Sequence, residues 1–182
     1  MPIAKIFSVR KLSNLKEWRF LFGRLDAIIF KAIILSAIGI VFYACALVYT
    51  KINQFTNDGN GDVEAMGDNR CRVLIIDGQG GRIGKQLAEA IGQDPRIELT
   101  AAGTNSAATV NMMKGGVRTA ATGENAVVVG CRRADIIAGP IGIVIADALM
   151  GEVTPRMAAA VGQSLAKKIL IPVNKCDNIV IG

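Results

Sequence analysis

Aliphatic runs and helical patterns alternate along the chain after residue 71. The first run, RVLIID at 72–77, has no polar alternation, which is typical of a strand buried on both faces. Further strands are predicted at 96–103, 117–121, 134–139 and 167–173, with a short edge strand at 178–182. Helices are predicted at 82–93, 106–116, 123–133, 140–151 and 156–166. This alternation indicates a βα series.

Two of these helices begin with residues that commonly cap helices. Asn105 or Ser106 is the predicted N-cap of the second helix, and Thr154 with Pro155 forms an N-cap and N1 pair before the last one. Strands that alternate with helices favour a parallel sheet with right-handed crossovers and helices on both faces. Residues 70–182 are therefore predicted to form a small three-layer, Rossmann-like α/β domain with a parallel sheet of five or six strands.

A different pattern occupies the N-terminal third of the chain. Residues 32–50 carry no charge, and at about 1.5 Å per residue this length approaches the roughly 30 Å of a bilayer core. We predict a single transmembrane helix there, after a basic segment at 1–31 and before a polar linker at 51–69. A buried core helix and a cleaved signal peptide are the alternatives, although the apolar run is long for a signal peptide.

Composition separates the two parts of the chain and excludes several functions. All nine aromatic residues lie within the first 55 positions, so the domain has no ring on which a nucleic-acid base could stack. The chain has no His, and its four cysteines lack C-x-x-C spacing, which argues against a zinc site. The domain holds three cysteines, an odd number that fits a reducing compartment better than a disulfide framework. We therefore expect no nucleic-acid partner and no metal.

The stretch DGQGGRIGK at 77–85 carries the clearest candidate chemistry, and its residues 78–84 are called the glycine loop below. In a doubly wound sheet the first strand–helix loop faces the crevice where ligands bind. Glycines let main-chain N–H groups approach an anion, and the helix N-terminus favours a phosphate. The spacing G-x-G-x-x-x-G is one residue longer than the common dinucleotide-binding form, and it does not match an ATP-hydrolysing P-loop. A phosphate site is favoured over a bare turn because strand, loop and helix occur in the required order.

Candidate ligand-binding residues follow the ends of the first four strands. They are Asp77, Gly78, Gln79, Gly80, Gly81, Arg82, Ile83 and Gly84, then Thr104, Asn105 and Ser106, then Glu124 and Asn125, and finally Gly139 and Pro140. NAD-binding folds usually place an acid after the second strand, and this chain has none there. The second group therefore either accepts a 2′-phosphate or caps the next helix. Hydrogen bonds to loop amides are the alternative to catalysis for Asp77, and capping is the alternative to ligand binding for Glu124.

Charge gives the N-terminal segment a contradictory orientation. Residues 1–50 hold seven Lys/Arg against Glu17 and Asp26, which would send the following domain across the membrane. A nucleotide-binding domain is instead expected to be cytoplasmic, with or without a membrane anchor. Either the anchor is real or natural translation begins at Met66, and the sequence leaves both open.

Several segments together resemble a small bacterial family, DUF3842, a domain of unknown function. They are VLIIDGQGGRIGKQL, GTNSAAT, ATGENAVV, ADIIAGPIGIVIADALMGEVTPRMA and KKILIPVNKCDNIVIG, which together cover about residues 70–182. Family members usually have a third Gly at the position of Arg82 and begin just before the first strand, which favours Met66 as the start. The resemblance implies a Rossmann-like fold and brings no established activity.

Three functions fit these features. The first is a nucleotide- or dinucleotide-binding module, with NAD or NADP as ligand, that senses the ligand and informs a partner. The second is a small enzyme that uses NAD(P) or a phosphorylated metabolite. The groups available for its carboxylate or thiol chemistry are Asp77, Glu124, Asp135, Asp147, Lys175, Cys131 and Cys176, with no Tyr for a short-chain dehydrogenase mechanism. The third is a structural or assembly domain with a vestigial glycine loop.

The sequence supports two further expectations. The apolar helical patterns, above all IGIVIADALM at 141–150, predict a homo-oligomer. Valine at Gly80 or Gly84 is expected to abolish nucleotide binding while leaving the fold measurable, because glycine is needed where a phosphate approaches the main chain.

Overall fold

A computed structural model describes residues 37–57, 70–92 and 94–173 of the chain. The strands are β1 (Cys71–Asp77), β2 (Ile97–Gly103), β3 (Thr119–Thr122), β4 (Ile136–Pro140) and β5 (Lys167–Ile171). The α-helices are α1 (Ala37–Asn57), α2 (Arg82–Ile91), α3 (Ser106–Lys114), α4 (Glu124–Arg133) and α5 (Pro155–Gln163), and a short 3₁₀ helix covers Ile141–Val144. The edge strand predicted at 178–182 lies outside the described residues.

The described strands form one parallel sheet of five strands in the order β3-β2-β1-β4-β5. Ile75 of the central strand β1 pairs with Ala101 of β2 and with Ala138 of β4. The strand order changes direction between β1 and β4, which makes this the topological switch point of the sheet. In open α/β sheets, ligands bind in the crevice at the carboxyl ends of the strands beside such a point. The prediction of a parallel α/β sheet is confirmed.

Alternate residues of β1 point into two separate hydrophobic cores. Val73 and Ile75 lie in the first core, which includes residues of α2 and α3. Leu74 and Ile76 lie in the second core, which includes residues of α4 and α5. All four side chains are buried, which explains why this strand has no polar alternation. Helices therefore cover both faces of the sheet, as the three-layer prediction requires.

Helix α1 contributes apolar side chains to the first core. Val48 and Ile52 are buried, and the half-buried Phe55 packs beside them. The same core includes Ile136 of β4 and Ile171 of β5. The spacing of the three α1 residues places them on one face of the helix, so this face packs into the first core.

Polar contacts flank the apolar face of α1. Tyr49 Oη donates a hydrogen bond to Asp94 Oδ2 at 3.5 Å, and Arg96 Nη2 donates to Asn53 Oδ1 at 2.6 Å. The ammonium of Lys167 lies 5.6 Å from the ring centroid of Phe55, within the range of a cation–π interaction. The part of α1 from Val48 to Phe55 is therefore joined to the amino-end side of the sheet by several independent contacts.

The transmembrane helix predicted at 32–50 lies only partly within the described residues. Helix α1 continues to Asn57, so the first seven residues of the predicted linker at 51–69 are helical. No helix in the described part of the chain has both the length and the apolar character needed to cross a membrane.

The long helix predicted at 140–151 does not form. One 3₁₀ turn ends at Val144, and residues 145–154, called the Glu152 loop below, have no regular structure. Three non-glycine residues of this loop have a left-handed backbone, namely Asp147 (φ 62°), Leu149 (φ 57°) and Met150 (φ 62°). A right-handed helix cannot continue through this conformation. The apolar pattern arises instead because Ile143, Ala148 and Leu149 are buried in the second core.

Candidate functional site

Four groups of predicted ligand-binding residues lie at one edge of the sheet. The glycine loop follows β1, residues 104–106 follow β2, residues 124–125 follow β3, and residues 139–140 end β4. Because the strands are parallel, their carboxyl ends meet at the same edge. The first two groups are in direct contact, since Thr104 N donates a hydrogen bond to Asp77 O at 3.0 Å.

Asp77 holds the glycine loop against the start of α2. Its side chain is buried, with Oδ1 accepting from Gly78 N at 2.8 Å and Oδ2 accepting from Gly84 N at 2.7 Å. Burial raises the pKa of Asp77, opposed by backbone hydrogen bonds from Gly84, Gly78 and Ile83, while the charge of Glu152 raises it further. Asp77 therefore accepts hydrogen bonds from the loop amides, which is the predicted alternative to a catalytic role.

Asp77→Asn is expected to lower the free energy of unfolding by about 1–3 kcal/mol, because its amide group meets buried N–H donors. Burial raises the folded-state pKa of Asp77 above its ordinary value of 3.8, so the protonated side chain favours the folded state. This contribution to stability is complete below pH 3.8 and is lost as the pH rises through the folded-state pKa. Urea unfolding from about pH 3 to about pH 7 should show wild type losing stability relative to Asp77→Asn. A gap between the two proteins that does not change with pH would contradict this assignment.

Three glycines of the glycine loop are enclosed by neighbouring parts of the fold. A Cβ would lie 2.6 Å from Thr104 Oγ1 at Gly78, 2.5 Å from Ala108 Cα at Gly81 and 2.6 Å from Met112 Sδ at Gly84. Gly80 differs, because a Cβ there would meet nothing within 4 Å. Gly84→Val would therefore disturb the packing of α2 on α3 as well as any ligand at the glycine loop. Gly80 is the position where a substitution tests ligand binding alone.

The carboxylate of Glu152 lies over the glycine loop. Its Oε2 accepts hydrogen bonds from Gln79 N at 2.7 Å, Thr104 Oγ1 at 2.5 Å and Asn105 Nδ2 at 2.8 Å. Burial opposes ionisation of this carboxyl group, but the three hydrogen bonds outweigh it and lower the pKa of Glu152. Donors from two of the predicted loops thus converge on one anionic oxygen. Glu152 is not among the residues predicted for the site.

Two asparagines hold the glycine loop against α3. Asn105 Nδ2 also donates to Gln79 O at 3.0 Å, and its Oδ1 accepts from Ala108 N at 2.8 Å as the N-cap of α3. Asn111 Nδ2 donates to Gly80 O at 2.8 Å. Asn105 therefore caps α3 and also contacts the carboxylate of Glu152. The loop amides are held in a fixed orientation by the fold itself.

Glu124 lies at the same edge of the sheet but is bonded to α5. Its Oε2 accepts from Thr154 Oγ1 at 2.7 Å, and its Oε1 accepts from Arg156 Nη1 at 3.1 Å. The hydrogen bond from Thr154 is the main cause of the lowered pKa of Glu124, and Arg156 adds to it. Thr154 in turn accepts from Met157 N as the predicted N-cap of α5. Glu124 thus links the starts of α4 and α5.

The remaining predicted site residues are either exposed or part of the packing. Arg82, Ser106 and Asn125 are exposed in the first turns of α2, α3 and α4. Ile83 packs half-buried against the first core. Gly139 and Pro140 are buried at the end of β4, where a Cβ on Gly139 would clash with Ile76 O. This glycine therefore allows β4 to lie close to β1.

Two groups considered for catalysis lie away from this edge. Asp135 precedes β4 at the amino end of the sheet and forms a two-point ion pair with Arg72, with Oδ1 2.7 Å from Nη2. Cys131 is buried in the second core, and burial raises the pKa of its thiol to about 11, against the opposing charge of Lys168. Neither group offers carboxylate or thiol chemistry at the carboxyl-end crevice.

The strand order and the helices on both faces define a Rossmann-like α/β domain. The model of one family, DUF3842, a domain of unknown function, matches residues 72–182. The chain belongs to this family, which confirms the resemblance seen in its sequence motifs. No curated protein and no solved structure matches the chain.

Proposed function

We propose that this chain is a Rossmann-like module that binds a nucleotide through the glycine loop and passes its bound state to a partner. The observation that carries the proposal is the convergence of Gln79 N, Thr104 Oγ1 and Asn105 Nδ2 on one carboxylate oxygen. Carboxylate and phosphate oxygens accept the same kind of charge-assisted hydrogen bond, so these donors suit a phosphate. Their position beside the switch point of the sheet supports a nucleotide as the ligand.

NADP is the proposed ligand in preference to NAD. Thr104 and Asn105 follow β2, where NAD-binding folds usually place an acid for the ribose hydroxyls. Their hydroxyl and amide groups donate hydrogen bonds and carry no negative charge to repel a 2′-phosphate. Arg82 adds a cation at the start of α2, exposed near the same edge.

Ligand binding has more support than catalysis because Asp77 and Glu124, the two candidate catalytic carboxylates beside the glycine loop and at the start of α4, already serve the fold. The carboxylate of Asp77 is occupied by loop amides, and Glu124 is paired with Thr154 and Arg156. The buried thiol of Cys131 has a raised pKa, which disfavours the nucleophilic thiolate. We therefore favour a ligand-binding module over an enzyme.

Differential scanning calorimetry with NAD, NADP, FAD, ATP and inorganic phosphate tests the proposal. A ligand at 100 times its Kd adds about 2.7 kcal/mol of stability, and NADP is expected to give the largest rise in Tm. Gly80→Val should unfold at the wild-type temperature without ligand, because a Cβ at this position would meet nothing within 4 Å. It should lose the rise in Tm that the ligand causes. If no compound raises the Tm of either the wild type or Glu152→Gln, the proposed function is wrong.

A further inference from the structure

We propose that Glu152 is a built-in competitor for the anion site, so that a ligand binds only after this side chain swings off the glycine loop. The inference rests on the proposed function, because competition requires a ligand at the same donors. The carboxylate occupies Gln79 N, Thr104 Oγ1 and Asn105 Nδ2. A phosphate oxygen bound at this place would need the same three groups.

The carboxylate also fills the space that a ligand would use. A Cβ on Gly78 would lie 2.8 Å from Glu152 Oε2 and 2.7 Å from Leu149 Cδ1, so the Glu152 loop covers this glycine directly. Two anions held by one set of donors would repel each other strongly. Occupancy by Glu152 and by a phosphate is therefore mutually exclusive.

The moving part is the Glu152 side chain rather than the backbone that carries it. Leu149 and Val153, on either side of Glu152, are 8% and 1% exposed and lie in the second core. Asp147 N donates to Val153 O at 2.7 Å, which closes the loop on itself. Glu152 is only half buried and has three side-chain torsions, so a change of rotamer is enough to withdraw its carboxylate.

The backbone of the Glu152 loop is constrained to deliver this carboxylate. Asp147, Leu149 and Met150 all have φ near +60°, a conformation that non-glycine residues rarely adopt. Such conformations persist where the surrounding structure holds them, and they cluster at ligand clamps and switch regions. The left-handed residues therefore lie in the same loop as Glu152, whose carboxylate would control access of a ligand to the glycine loop.

Competition of this kind weakens the apparent affinity for the ligand. The observed Kd equals the intrinsic Kd divided by the fraction of molecules whose donors are free. Three hydrogen bonds to an ionised carboxylate keep that fraction low. The ligand concentration needed for half-saturation is therefore higher than it would be without Glu152. Such a weakened affinity suits a sensor of an abundant nucleotide.

Isothermal titration of NADP and of inorganic phosphate into wild type and Glu152→Gln tests the competition. The variant keeps the shape of the side chain but replaces charge-assisted hydrogen bonds by weaker neutral ones, so NADP should bind about tenfold more tightly or better. Glu98→Gln is the matched control, because it removes one negative charge from an exposed position in the amino-terminal half of β2. Its Kd should equal that of the wild type.

The possible results distinguish competition by Glu152 from the nucleotide binding on which it depends. Equal NADP affinity of wild type and Glu152→Gln would overturn the competitor and leave nucleotide binding standing, while weaker binding by the variant would make Glu152 part of the site. Absence of NADP and phosphate binding in every variant would overturn both proposals. If Glu152→Gln does not fold, Glu152→Asp replaces it, because its shorter side chain withdraws the carboxylate but keeps the charge; it too should bind NADP more tightly than the wild type.

Discussion

Ile52→Ala is expected to lower the free energy of unfolding by about 2–5 kcal/mol, the range for truncating a buried isoleucine. Ile52 is 0% exposed and lies in the first core with residues of β4 and β5. Removing three carbon atoms leaves a cavity between α1 and the sheet, which the neighbouring side chains fill only in part. Chemical denaturation followed by far-UV circular dichroism measures the loss.

Leu47→Ala is the matched control for this prediction. Leu47 lies on the same helix but is 47% exposed, so its truncation should change the free energy of unfolding by no more than about 0.5 kcal/mol. If the two variants are equally stable, the packing of α1 on the sheet is not the arrangement described above.

Gly81→Ala is expected to cost about 2–5 kcal/mol of stability for two separate reasons. Gly81 has φ +61°, and a residue with a Cβ is disfavoured there by about 1–2 kcal/mol. The new Cβ would also lie 2.5 Å from Ala108 Cα and 2.7 Å from Ala108 O, and overpacking of this kind costs about 1–3 kcal/mol. Because backbone atoms cannot turn aside as a flexible side chain can, α2 and α3 would have to separate. Urea unfolding of the variant measures the combined effect.

The neighbouring residue provides the control. A Cβ at Gly80 would meet nothing within 4 Å, so Gly80→Ala should leave the stability within about 0.5 kcal/mol of wild type. Comparable destabilisation by both substitutions would mean that the loop tolerates no side chain at all, and the assignment of Gly81 to helix packing would fail.

The positions of the strands along the chain and their parallel arrangement were predictable, because buried strands carry a local apolar pattern. Between Arg72 and Asp77 the run VLII carries no polar residue, and the structure places Val73 to Ile76 in the two cores. The N-caps at Asn105 and Thr154 were predictable for a similar reason, since a cap acts on amides only three residues away. Local patterns thus indicated the local parts of the fold.

The Glu152 contact was not predictable from spacing. Glu152 lies 73 residues from Gln79 and 48 from Thr104 along the chain, and nothing in its surroundings marks it as a partner of the glycine loop. The apolar run IGIVIADALM suggested a helix because periodicity cannot separate a buried helix from a buried irregular loop.

The N-terminal helix shows a second limit of sequence patterns. Tyr49 and Asn53 are bonded to Asp94 and Arg96, more than forty positions away along the chain. These contacts place the end of α1 against the domain.

The confinement of all aromatic residues to the first 55 positions determines how this protein absorbs and emits light. The sheet domain has no tryptophan or tyrosine, so it is dark in near-ultraviolet emission, whereas Tyr49 is held against Asp94. The emission of Tyr49 therefore changes when α1 leaves the sheet, and it is measured together with the emission of Tyr43 and Trp18, the other tyrosine and the tryptophan of the chain. A difference between the emission midpoint and the backbone midpoint would show α1 leaving while the strands remain paired.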